Sequence, residues 1–506
     1  MLQVLSFCHE SYWRLIFRAL PDHSEIAHGF APWKLPIQML IQNRIYKFFP
    51  FVLLGTRFSG SVITNLAAVG DIEGIQWGID SGCPLRASAM TAAVATCNQQ
   101  VMQFLREKEC PFDEGTCRAL AMQGNLESLQ WARSHGCPWD EGACAGAALA
   151  GQMEVLQWLR DNNCPWDERT CRGAARGGHL SLLQWCRNSG CPWEEGTCRE
   201  AALSGSLPIL QWARENQCPW NEETCSAAAK GGHLNILQWL REQPDPCPWD
   251  SRACSWAARN GDLSMLIWLK RNGCPWDIEC CNEAARGGHL YILRWVRNKQ
   301  HEENEDDRFV ASFPCPWSDE TAAIAAQKGH LEVLQWMVEN GCPLTQRVST
   351  MAANGGQLEV LQWLREQDCP WGPSTCSEAA INNHFKLLQW ARENGCPWDE
   401  WTCHWAAKGG HLLLLQWARD QGCPWNEKTC SIAASVGHLH VIVWAREHGC
   451  PWDASTCNEA IKGNQAHVLR WTAANGCPID GETLVLATEP DRSWTREYFG
   501  VYMQFN

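Results

Sequence analysis

The chain holds 30 cysteines and 16 histidines, side chains able to ligate metals or carry thiol and proton-transfer chemistry. Cys-Pro dipeptides begin at Cys83, Cys110, Cys137, Cys164, Cys191, Cys218, Cys247, Cys274, Cys315, Cys342, Cys369, Cys396, Cys423, Cys450 and Cys477. In eleven of these fifteen units a second cysteine follows seven residues later, as in Cys164 and Cys171. A zinc site needs pairs of ligands converging on one point, and C-x-x-C is its usual local signature. C-x6-C with a helix start between the two is a poor match. Met90, Ala322, Ser349 and Leu484 replace the second cysteine elsewhere, a set that a packed core tolerates. Core packing is therefore the reading of these thiols, with zinc, redox chemistry or disulfides as the alternatives. The pattern gives no reason why alanine never replaces the first cysteine.

Histidine occupies the turn position at His179, His233, His289, His330, His384, His411 and His438, after glycine in all but His384, which follows Asn383, and Asn125, Gln152, Ser206, Asp262 and Gln357 replace it elsewhere. These substitutes share polarity, so a polar role in a turn is expected rather than catalysis. No nucleophile or carboxylate recurs beside the histidines in a triad-like arrangement. Phosphate-loop, dinucleotide and H-E-x-x-H signatures are absent as well. The expectation is a protein that is not an enzyme and holds no cofactor and no metal.

What must position these residues is a repeat. Twelve of the fourteen intervals between Cys-Pro dipeptides are 27 residues, and the other two carry insertions of 2 and 14. Counting the Cys as position zero, the unit reads C-P-W-D-E-x-T-C-x-x-A-A-x-x-G-H-L-x-x-L-Q-W-L-R-x-x-G. Asp or Asn at position 3 suits a helix N-cap, and the acid after it suits the helix dipole. Ala174 and Ala175 let a neighbouring helix approach, and Gly178 closes the first helix. A second helix runs from about Leu180 to Asn188, with Leu180, Leu183 and Trp185 on its apolar face and Arg187 in its last turn. Tryptophan occupies this helix in fourteen units, from Trp77 to Trp471, and follows Cys-Pro in eleven, from Trp139 to Trp452. Leucine, isoleucine or phenylalanine fills the gaps, so the aromatic ladder is read as packing rather than as a stacking platform for bases or proline-rich peptides.

The motif A-A-x-x-G-H-L-x-x-L-Q-W-L-R-x-N-G, close to Ala325 to Gly341, resembles the helical part of an ankyrin repeat. The resemblance covers roughly residues 62–488. It departs from that family in period, 27 against about 33 residues, and in lacking T-P-L-H. The expected fold is an all-α, ankyrin-like helix–turn–helix solenoid of about 15 repeats, with β-hairpin fingers shortened or absent. The family implies a protein-binding scaffold. Residues 1–61 should form an N-terminal helical cap, residues 62–489 the repeat solenoid with an acidic loop insertion at 299–314, and residues 490–506 a C-terminal cap or tail. Within the first segment, Leu35-Pro36-Ile37-Gln38-Met39-Leu40 and Phe49-Pro50-Phe51 faintly resemble an F-box, which implies docking to a ubiquitin-ligase adaptor.

A net charge of −14 across 506 residues gives no general attraction to nucleic acid or anionic membrane, so neither is expected as a partner. No apolar run reaches the length of a membrane span. The N-terminus lacks a secretory pattern, and reduced thiols suit an intracellular protein, cytoplasmic or nuclear. A monomer is expected.

Two cation ladders complete the unit: Arg176, Lys230, Arg259, Arg286, Lys408 and Lys462 near the end of the first helix, and Arg160, Arg187, Arg214, Arg241, Arg365 and Arg392 in the second. They are read as dipole matching and solubility, or as a stripe for an acidic peptide or phosphoprotein. Partner contact is expected along the concave face at Arg199, Glu200, Trp256, Glu283, Glu378, His404 and Trp405, where the small-residue pattern of the first helix is broken. A lone unit buries too little apolar surface to offset the ordering of 27 residues. An isolated 27-residue unit should therefore be unfolded in water; a helical far-UV circular dichroism spectrum for it would contradict the repeat reading.

Overall fold

In the computed structural model residues 62–80, 83–96, 98–297 and 316–488 are described. The cap with its F-box-like stretch (1–61), the whole acidic insertion (299–314) with Cys315, and the C-terminal tail lie outside them. The described residues form 31 α-helices and no strand, an all-α helical-repeat solenoid in which no hairpin finger separates the repeats. The chain divides into two compact units, Met1–Trp166 and Asp167–Asn506. In the first, the described helices run from Val62–Val69 to Met153–Asp161; in the second, from Glu168–Gly177 to Gly481–Thr488.

The unit that opens the second part shows why the chain folds this way. Asp167 is extended at φ −142°, and its carboxylate accepts the Arg169 N–H at 3.1 Å, which starts the first helix Glu168–Gly177. Gly178 closes it at φ +79°, where an L side chain is strained, and the His179 N–H reaches the Ala174 carbonyl at 3.0 Å. After the second helix, Leu180–Asn188, Gly190 at φ +84° turns the backbone so that the Cys191 N–H bonds the Cys186 carbonyl at 2.9 Å. Repetition of these two stops sets the 27-residue period.

Within each unit the first helices lie against one another through alanine and cysteine, Ala201, Ala202 and Cys198 being fully buried. The approach is closest at the C-terminal end of the first helix: a Cβ built on Gly355 would stand 1.9 Å from the Gln327 carbonyl oxygen of the repeat before. Leu182 and Leu183 of the second helix are buried beneath them, while Trp185 is half-buried.

The fold also supplies the reason for the first cysteine. In thirteen repeats its Sγ donates to the carbonyl oxygen of the N-cap residue 24 to 26 positions earlier, at 3.3–3.6 Å; Cys218 to Glu194 and Cys423 to Asp399 are examples. That carbonyl already accepts a bond from its own helix, Thr402 N to Asp399 O at 3.2 Å, so the thiol takes the second lone pair. Alanine would leave the buried oxygen half satisfied and the site underfilled. The second cysteine extends the chain of bonds: Cys117 Sγ lies 3.2 Å from Cys137 Sγ, and in one repeat Ser349 donates to Cys369 Sγ at the same distance.

At the other end of the first helix, His233, His289, His330, His384 and His411 each donate from Nε2 to a last-turn carbonyl of the preceding repeat at 2.9–3.2 Å. A carbonyl only accepts, so these rings carry their proton on Nε2. The expected polar turn role thus takes a definite form: each histidine satisfies an orphan carbonyl of the repeat behind it.

Replacing Cys423 with alanine removes one thiol bond and leaves a small void. It should lower the stability of the full chain by about 1–2 kcal/mol. A melt in which Cys423→Ala unfolds together with wild type would remove the thiol from this role.

Candidate protein-binding face

Thiols come first, because they are the most numerous reactive groups. Burial pushes Cys110 up to about 11 and Cys186 up to about 12. Cys171 is raised by its hydrogen bond to Cys191 and then by burial. Thiols held so high are poor nucleophiles and poor ligands at neutral pH. Among the described residues, no group of three or more His, Cys, Asp or Glu side chains is arranged to hold a metal ion.

The second cation ladder is spent inside the molecule. Arg214 donates from Nη1 to the Cys218 carbonyl at 2.8 Å while its guanidinium lies 3.7 Å from the Trp220 ring centre. Arg241 does the same with Cys247 and Trp249, at 2.7 and 4.1 Å, and Arg365 with Cys369 and Trp371, at 2.6 and 4.4 Å. Arg160, Arg187 and Arg392 donate to Cys164, Cys191 and Cys396 and cover Trp166, Trp193 and Trp398. Trp220 in turn meets Trp239 edge to face at 6.1 Å. Each arginine therefore clamps the Cys-Pro-Trp turn to the second helix by a carbonyl bond and a cation–π contact. Dipole matching is only part of its role, and a stripe free to bind acidic peptides is not what this ladder forms.

The first ladder is largely exposed, and apart from Lys230 and Lys408 it is paired with acids of its own repeat or the next. Arg259 reaches Glu283 at 2.8 Å, Arg286 reaches the same carboxylate at 3.0 Å, and Arg176 lies 3.9 Å from Glu200. Lys462 bridges Glu459 at 3.1 Å and Glu482 at 3.2 Å. Such pairs are worth little individually because solvent screens them. Their effect here is to neutralise the face.

All seven residues singled out from the sequence sit at positions 8 and 9 of first helices, but they do not form one kind of surface. Arg199 is held by Glu223 at 2.9 Å and Glu200 at 3.3 Å, and its bond to Glu223 raises its pKa. Glu200 is buried, 8% exposed, and so offers little to a partner. Glu283 is taken up by the two arginines, and Glu378 accepts from Asn354 Nδ2 at 2.7 Å. His404 is 1% exposed, with Nε2 2.7 Å from Asn426 Oδ1, so it supports the face from below instead of touching a partner. Trp256 and Trp405 are half-buried with lysines over their rings, Lys230 and Lys408, each at 4.6 Å.

Sequence reasoning missed Trp401, which is 41% exposed and stacks on Trp405 at 5.9 Å and 29°. The signal was present: Trp401 and Trp405 are four residues apart, one turn on the same helix face. Lys428 of the next repeat lies 5.7 Å from the Trp401 ring. The edge of Trp401 meets His404 at 5.2 Å, so the buried imidazole fixes the exposed indole.

No family model matches the sequence, and no curated protein matches it. Solved structures do match. The pentatricopeptide repeat protein PPR10 in complex with an 18-nucleotide psaJ RNA element is 13% identical, over 93% of this chain and 77% of that chain, with a TM-score of 0.29. A triple cysteine-to-serine variant of the same complex gives the same values. PPR10 from maize is 12% identical, over 92% of this chain and 87% of that chain, with a TM-score of 0.24. Two of these neighbours hold RNA, so the expectation that nucleic acid is excluded as a partner does not stand. At TM-scores of 0.24–0.29 the likeness assigns no ligand to this chain.

His404 also gives the face a pH dependence. Burial holds its pKa below the ordinary value, and its buried Nδ1 has no hydrogen-bond partner to which a second proton could be donated. The unfolded chain therefore binds a proton near pH 6.5 before the folded one does. Stability is unaffected by this group above that pH and falls as pH drops below it, until the folded ring titrates in turn. His404→Gln keeps a donor for Asn426 and removes the titration, so its stability should be flatter than that of wild type as pH falls below about 6.5. Parallel urea-unfolding curves at each pH would contradict this.

Proposed function

We propose that the chain is a non-catalytic protein-binding scaffold built from a shortened ankyrin-like repeat, and that its partner docks along the concave face, on the exposed side of the first helices. The observation that carries this reading is a contrast between positions of one unit. Where they occur, the first cysteine and the second-helix arginine bond across the repeat boundary, and the two tryptophans pack against that joint. Positions 8 and 9 of the first helix take no part in that repeated bonding; they change from repeat to repeat (Arg199 and Glu200, Ser255 and Trp256, Ser377 and Glu378, His404 and Trp405), and so do the contacts they make with the neighbouring repeat. A rigid frame with one variable row is the arrangement by which solenoids recognise partners. Thiols that donate hydrogen bonds must be reduced, which suits a reducing compartment, cytoplasm or nucleus.

Tagged full-length chain used to capture partners from cell extract tests the reading. Trp256→Ala with Trp405→Ala should lower recovery of a given partner about tenfold or more, since tryptophans dominate such interfaces. Glu366→Ala with Glu393→Ala, exposed at the ends of second helices, should leave recovery unchanged. Equal recovery by all three proteins removes the first-helix face from partner binding.

A further inference from the structure

The cations of the first-helix row fall into two classes. Where position 9 is glutamate, the neighbouring cation is neutralised: Arg259 by Glu283, Arg176 by Glu200, Lys462 by Glu459. Where position 9 is Trp405, the glutamate is missing and Lys408 lies over the indole instead, 4.6 Å from the ring centre. In the following repeat Lys428 takes the same relation to Trp401, at 5.7 Å. Both lysines are exposed, and neither forms an ion pair among the described residues. The acids nearest in sequence, Glu400 and Glu427, form no ion pair with either lysine among the described residues, and Asp399 is occupied in capping its helix, accepting the Trp401 N–H at 3.1 Å. The patch is thus two stacked indoles with two uncompensated ammonium groups, held rigid from beneath by His404 and its bond to Asn426.

We infer that this patch binds an acidic, apolar peptide segment of a partner protein, a carboxylate taking the place that glutamate fills in the other repeats and an aliphatic side chain lying on the indoles. The inference rests on the scaffold reading and adds the chemistry of its partner. Ammonium groups already seated over the rings lose little freedom when a carboxylate arrives, and the indoles shield the pair from water. The same charge placement disfavours a basic segment, which would meet both lysines head on. Phosphate would satisfy the lysines equally well. The repeats on either side carry Ile381 and Ser435 at the ladder position, so a doubly charged group finds no further cation there and the carboxylate is the better fit.

The test is fluorescence anisotropy of the full chain with a labelled short peptide alternating glutamate with leucine. Versions with glutamine, lysine or phosphoserine in place of glutamate serve as comparison, together with a labelled oligouridylate. The glutamate peptide should bind at least about tenfold more tightly than the glutamine and lysine versions, and no more weakly than the phosphoserine one. Trp405→Ala, at a half-exposed position, should weaken it at least about tenfold. Lys408→Glu with Lys428→Glu should reverse the order, so that the lysine peptide binds best. That reversal cannot come from misfolding. Equal binding of the glutamate and glutamine peptides, no binding of either, or an unreversed order in the double variant would each overturn the inference. Tighter binding of the phosphoserine peptide, or oligouridylate binding abolished by Trp405→Ala, would assign the patch to another ligand and overturn it as well. If the peptides fail while partner capture still depends on Trp256 and Trp405, the chemistry is wrong and the scaffold stands; if capture is independent of both, the scaffold face itself falls.

Discussion

The structure depends on how the two ends of each first helix are satisfied. A helix leaves four N–H groups and four carbonyls without intrahelical partners, and a helix of nine or ten residues consists largely of its ends. In the repeat that begins at Cys191, the following repeat bonds to both ends: Cys218 adds a second bond to the Glu194 carbonyl at the start, and His233 takes the orphan Leu203 carbonyl at the finish. Small residues between these two points let the backbones come close enough for the bonds to form. A short, propensity-poor helix becomes stable because its neighbour finishes it, and this bonding adds to the shared apolar faces.

Much of this was legible in the chain. The 27-residue period, the Asp or Asn cap, the glycine stops and the two helices all follow from local rules about φ, caps and apolar spacing, and the helices lie where those rules place them. The role of the first cysteine was not legible, because its acceptor is a backbone atom 24 residues away and carbonyls leave no mark in a sequence. The second-helix arginines were hard to read for a similar reason. Arg214 precedes Trp220 by six residues, across a turn, and nothing in that spacing shows the guanidinium lying on the ring. Of the site, the departures at Trp256 and Trp405 could be seen as departures, but burial could not: Glu200 and His404 share the positions of exposed residues and are nonetheless covered.

The first-helix face shows how composition can mislead about surfaces. An acidic chain with ladders of lysine and arginine suggests broad electrostatic recognition. In three dimensions most of those charges are matched locally, Arg252 lying near Asp250, Glu222 and Glu223 at 2.7–3.8 Å, for example. What distinguishes one repeat from another is the rare place where matching stops. Specificity in such a molecule is carried by exceptions to its own repeat, because the regular positions are committed to holding it together.

The closures just described all point one way along the chain. The ends of the helix Glu195–Leu203 are bonded by side chains 24 and 30 residues further on, Cys218 and His233. On the ribosome, then, a newly emerged pair of helices stays open until roughly one more repeat of nascent chain has cleared the exit tunnel, a delay on the order of a few seconds at ordinary rates of synthesis. Through that interval its thiols and half-covered indoles face solvent, and it is this trailing repeat that a chaperone would meet.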